Sequence, residues 1–152
     1  MIFGIISLIL DYYCLNILKF SFGNLSFFFS CLTFVYIITY FYFFKKLDLS
    51  LLFIVILYSI VNFSMFFSLF LILIFYYLVK YFNIYFRKNI FLFLFFIICC
   101  IFLNDLLFCF MLFVFDYMEF KFWFVVYKFV NSLILNILYA IILYYFVPVL
   151  ND

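Results

Sequence analysis

The sequence predicts an all-α integral membrane protein, a single polytopic domain over residues 1–152 with six transmembrane helices. Three observations carry the prediction. Hydrophobic residue types make up 76% of the 152 residues and charged types only 9%, whereas a soluble domain averages about 45–50% apolar and about 25% charged. The few charges separate long uncharged runs. The basic residues gather between alternate runs, as the positive-inside rule requires of a multi-pass chain. An ordinary core could not hide this much apolar surface, because a domain of this length buries only about 70% of its unfolded area. Disorder needs the opposite composition. Eight Lys/Arg against six Asp/Glu leave a net charge of +2, so no nucleic-acid partner is expected. The expected surroundings are lipid.

The first run, 2–18, is interrupted by Asp11 and closed by Lys19. It lacks the basic start and small-residue cleavage site of a signal peptide. The second, 25–44, is uncharged throughout and ends at Lys45-Lys46-Leu47-Asp48. The third is uncharged from Leu49 to Val79. As one helix it would be about 46 Å long, against a hydrocarbon core of about 30 Å. A steep tilt absorbs part of that excess and gives five spans. A break near Asn62-Phe63-Ser64 gives two short spans instead, 49–61 and 65–79. The last two runs are 89–115, which contains Asn104 and Asp105, and 122–147, which contains Lys128 and stops at Pro148.

Charge placement favours the break. With six spans and the N-terminus inside, the inner loops hold Lys45, Lys46, Lys80, Arg87 and Lys88, and the outer ones only Lys19 and Lys121. A single helix over the third run would move Lys80, Arg87 and Lys88 to the other side and erase the bias. The expected location is the cell membrane, with both termini cytoplasmic.

Composition also limits the chemistry. The chain has no His, which removes His-based haem, zinc and copper sites and His general-base catalysis. Cys14, Cys31, Cys99, Cys100 and Cys109 form no CxxC pair and lie in apolar runs, where Cys behaves as a small hydrophobe. No enzyme, cofactor or metal is expected. Phe occurs 32 times and Tyr 15 times, Gly twice and Pro once. Aromatic rings should therefore fill the space between helices, with few close small-residue contacts and little means of breaking a helix at the midplane. Residues with AT-rich codons dominate, which fits the genome of a reduced bacterium or an organelle.

Ionisable residues inside a span are costly and face the bundle interior or a partner. Three qualify. Asp11 lies past the middle of a short first span, where its carboxylate either turns inward or reaches the headgroups. Asp105 lies about 15 Å below the outer end of its span and Lys128 about 9 Å below the same interface. The two spans are antiparallel neighbours, so an ion pair is feasible. The alternative is that Lys128 snorkels outward while Asn104 or a hydroxyl holds Asp105. Lys128, Ser132 and Asn136 are spaced by four, with Asn131 beside them, and make a polar stripe on the last span. In lipid that stripe should face another span or a partner subunit and act as helix-association glue.

Three segments carry a resemblance to the rod shape-determining MreD family in its Firmicutes and Mollicutes-like forms. They are Leu10-Asp11 with Asn16, Phe20 and Phe22; Ser30-Cys31-Leu32-Thr33-Phe34-Val35; and Tyr127 to Tyr139 with its Lys128, Ser132 and Asn136. Length and span order fit over nearly the whole chain. The sequence departs from the family in two places. Cys31 stands where a Pro often precedes the Leu-Thr pair, and Ile56-Leu57-Tyr58-Ser59-Ile60 lacks the Gly and Asp of a common Gly-Leu-x-Tyr-Asp stretch. The resemblance implies a non-catalytic membrane component of the cell-elongation complex that scaffolds peptidoglycan synthesis. Its implied partners are an MreC-like protein, the actin-like MreB filament, and an SEDS glycosyltransferase with its transpeptidase. It also implies a six-helix fold similar to the substrate-binding subunits of ECF-type vitamin transporters. Two other functions stay open: a small-molecule-binding membrane subunit of the ECF type, and an organelle-encoded subunit of a respiratory complex, which Asp105 and the AT-rich composition favour weakly.

Overall fold

The computed structural model describes residues 2–17, 20–22, 25–27, 31–46, 48–61, 65–82, 89–114 and 122–149. Six helices and one small hairpin are present among them: α1 (Ile2–Ile17), β1 (Phe20–Phe22), β2 (Leu25–Phe27), α2 (Leu32–Phe44), α3 (Leu49–Val61), α4 (Met65–Phe82), α5 (Ile90–Val114) and α6 (Phe122–Val149). The helices follow the apolar runs, whose interiors contain almost no Gly or Pro to stop them. Pro148 falls in the last turn of α6, next to its final residue. Helices α5 and α6 are long and apolar enough to cross a membrane.

The long uncharged run forms two helices, α3 and α4, packed on one another. The expected break at Asn62-Phe63-Ser64 lies outside the described residues.

The second run departs from expectation. It was expected to be helical over 25–44, but its helix begins only at Leu32. Leu25–Phe27 instead pairs antiparallel with Phe20–Phe22, with Ser21 opposite Ser26. An apolar run specifies burial, not helix, and short runs are ambiguous between helix and strand. A local signal was there to be read: Gly23-Asn24 between two apolar triplets is a dipeptide typical of two-residue hairpin loops.

Helix α2 is the hub. Every residue from Leu32 to Tyr42 is buried, and α2 packs against all five other helices. A helix that is hydrophobic all round belongs in the centre of a bundle. Rings do much of the packing around it, each such pair adding about 0.5–1.5 kcal/mol beyond area burial. Phe34 meets Phe75 of α4 edge-on at 4.9 Å, Phe41 meets Tyr76 at 5.1 Å, and Tyr42 meets Phe93 of α5 at 5.0 Å. One small-residue contact breaks this pattern. At Gly4, α1 comes so close to α2 and α3 that a Cβ would collide with Ile54 Cδ1 and lie 2.7 Å from Tyr36 Cε1.

At its far end α2 stops at Lys45, which adopts the left-handed conformation (φ 53°) and donates its N–H to the Phe41 carbonyl. The Tyr40 hydroxyl donates to the Asp48 carboxylate, which ties the end of α2 to the start of α3.

Polar and apolar side chains are arranged inside out. Asp11, Asp105, Lys128, Ser132 and Asn136 are buried, along with Ser7, Thr33, Thr39 and Ser59. Phe91 is 79% exposed, Ile134 71% and Trp123 82%. The hydroxyls of Ser7, Thr39 and Ser59 donate to carbonyls one turn back in their own helices, which satisfies them without water.

Candidate functional site

The first-turn N–H groups of a helix have no intrahelical partner and need one when buried. The N-cap of α2 is Cys31, whose side chain makes no capping bond. Two other helices supply the caps. On α1, Gly4, Ser7, Leu8 and Asp11 share a buried stripe at helical spacing, which aims Asp11 at the start of α2. Its Oδ1 accepts the Leu32 N–H at 3.0 Å, and its Oδ2 accepts the Thr33 N–H at 2.8 Å and the Thr33 hydroxyl at 2.6 Å. A carboxylate at a helix N-terminus is also stabilised by the helix dipole. From α6, Asn136 Oδ1 accepts the Cys31 N–H at 3.1 Å.

Asp11 therefore turns inward and is only 1% exposed; it does not reach outward to headgroups.

Lys128 of α6 and Asp105 of α5 form an ion pair, with Nζ 2.7 Å from Oδ1. The ammonium also lies 5.0 Å from the centre of the Phe108 ring, an attraction added to the pair. Lys128 is 9% exposed and Asp105 fully buried. The snorkelling alternative fails for this reason, and Asn104 makes no hydrogen bond to the Asp105 carboxylate. Besides Asp105 Oδ1, which meets the ammonium, two buried atoms of the cluster, Asp105 Oδ2 and Asn136 Nδ2, have no hydrogen-bond partner among the described residues.

The stripe Lys128, Ser132, Asn136 faces the interior of its own bundle, and its members act differently. Lys128 joins α6 to α5, and Asn136 joins α6 to α2. Ser132 Oγ donates to the Phe129 carbonyl of its own helix at 3.1 Å and makes no hydrogen bond to another helix among the described residues. Asn131 is on the outer face of α6.

The stripe also continues to Tyr139, which spacing by four from Lys128 does not reach. The Tyr139 hydroxyl lies 3.1 Å from Ser7 Oγ and 3.2 Å from the Phe3 carbonyl, joining α6 to α1. The signal was available: Tyr139 is three residues beyond Asn136, and Ser7 is four before Asp11.

The site is a polar cluster in which α1 and α6 hold the start of α2, while α5 supplies the counter-charge to α6. Among the described residues no group of three His, Cys, Asp or Glu side chains could hold a metal ion. Its chemistry is electrostatic and positional: one carboxylate neutralises a helix terminus and another neutralises a buried ammonium. Comparison with family models, with curated proteins and with solved structures found no match for this chain.

Proposed function

We propose that the chain is a six-span membrane protein that works by binding, as a non-catalytic scaffold in a bacterial cell-elongation complex. The membrane part rests on the inside-out arrangement. Intramembrane charges face the bundle interior and pair with one another, and large apolar side chains face a solvent that must be lipid. Irregular backbone at membrane depth is tolerated where protein surrounds it, and the start of α2 is surrounded by α1 and α6. The exposed Lys45, Lys46 and Lys80 lie at the ends assigned to the cytoplasm, and the proposed orientation has both termini inside.

One observation carries the elongation reading. Asp11, Cys31-Leu32-Thr33 and Asn136 belong to the three separate segments that resemble the MreD family, and direct hydrogen bonds connect them. Residues brought together in one buried cluster are what a shared fold would keep. On this reading the partners are an MreC-like protein, the MreB-like filament, and the SEDS glycosyltransferase with its transpeptidase. Depletion in the source organism, or in a related rod-shaped host, should give rounded cells. Unchanged cell width after full depletion rejects the proposal.

A second reading, a small-molecule-binding membrane subunit, is favoured by Asp105 Oδ2 and Asn136 Nδ2, two buried atoms with no hydrogen-bond partner among the described residues. A stoichiometric small molecule retained through purification would support it over the scaffold.

A further inference from the structure

The outer face of α6 carries Asn131, Ile134, Leu138 and Tyr145, all exposed, with the half-buried Ile141 between the last two. Their spacing of three, four, three and four is a heptad seam, the pattern by which one helix packs along another. Asn131 lies nine residues into the helix, about 14 Å from its outer end. Among the described side chains it is the one exposed Asn, Asp, Lys or Arg more than a turn from the end of its helix. Its amide makes no hydrogen bond among the described residues. Every other described amide or charged group at comparable depth is turned inward. On the membrane reading, an amide left in lipid is costly and seeks a partner across a helix interface.

We propose that this seam is a self-association surface and that its occupant is α6 of a second copy of the chain. Two copies inserted the same way in one bilayer are related by a two-fold axis along the membrane normal, so each seam residue faces its counterpart at equal depth. An amide carries both donors and an acceptor, so Asn131 and its counterpart satisfy each other. A single Asn in an apolar heptad seam is a known device for setting register and pairing. The helix of a different protein would need a polar group supplied at this same depth; a second copy provides one by symmetry.

The inference rests on the membrane reading but not on the elongation role. The test uses the full chain, fused at its C-terminus to a donor or an acceptor fluorophore and reconstituted in liposomes over a range of protein-to-lipid ratios. Energy transfer should rise with density to a dimer plateau. Asn131→Leu should weaken association by about 3- to 30-fold, and Asn131→Gln should retain it. The Leu variant faces outward, so helicity should be unchanged by circular dichroism. Transfer no greater than that of a non-associating membrane protein, or an Asn131→Leu variant that associates like the wild type, overturns the proposal. Alkaline extraction of the same liposomes separates the two failures. Loss of the chain from the membrane overturns the membrane reading and this inference together, whereas a retained monomer overturns only this one.

Discussion

Asp11 and Thr33 stand 22 residues apart in the chain, yet one oxygen of the Asp11 carboxylate accepts both the N–H and the hydroxyl of Thr33, at 2.8 and 2.6 Å. The central helix of the bundle thus begins under a cap supplied by another helix. Asp11→Ala should strand the Leu32 and Thr33 N–H groups in a buried site, at about 1–3 kcal/mol for each unsatisfied donor. Asp11→Asn keeps an acceptor oxygen and should cost less. Thermal unfolding in detergent measures both, and equal losses for the two variants would argue against the cap.

The Asp105–Lys128 pair should behave as a coupled unit. Lys128→Met leaves a carboxylate buried without its cation, a change that typically costs about 3–5 kcal/mol. Asp105→Asn combined with Lys128→Met should be milder than Lys128→Met alone. A double-mutant cycle on stability reads the coupling directly; strictly additive losses would mean that the two side chains do not meet.

Asn136→Leu should insert normally, because the span stays predominantly apolar. It orphans the Cys31 N–H and removes the bond between α6 and α2, so stability should fall by roughly 0.6–2 kcal/mol. Ser132→Ala, which removes only a bond within α6, should be close to neutral. A larger loss at Ser132 than at Asn136, compared by melting temperature, would contradict these assignments.

Gly4→Ala should destabilise by about 1–3 kcal/mol through overpacking. Ile54 can swing its terminal methyl away, but the Tyr36 ring sits in the buried centre of the bundle and has less room to yield. Ile5→Ala, at the exposed neighbouring position, should stay within about 0.5 kcal/mol. Similar melting temperatures for the two variants would remove the close approach as a constraint.

Under the proposed topology, cysteines placed at Lys46 and Lys88 should react with membrane-impermeant reagents only after the membrane is opened. Reaction at position 88 in intact cells would move that loop outside and overturn the orientation.

Charge and hydropathy alone located the helical segments 2–17, 49–61, 65–82, 90–114 and 122–149 to within a few residues, since long apolar stretches with at most one internal charge mark them, most of their ends lying near Lys, Arg or Asp. The division of the run from Leu49 to Val79 was also legible, because only a break there keeps the basic residues on one side. The polar stripe of α6 was readable from spacing, but not its partners: i, i+4 periodicity places residues on one face and is silent about what that face meets. Tertiary structure decided the rest. Within the run 25–44 no charge or periodicity separates strand from helix; Gly23-Asn24 before it signals a hairpin turn, but the start of the helix at Leu32 was set by Asp11 and Asn136, which take the first N–H groups. The choice for Lys128 between the surface and Asp105 was likewise open along the chain. It was settled by the antiparallel packing of α5 on α6, which sets an anionic oxygen 2.7 Å from the ammonium. Apolar patterning determines which segments leave water, whereas the partner of each buried polar group depends on which helices pack together.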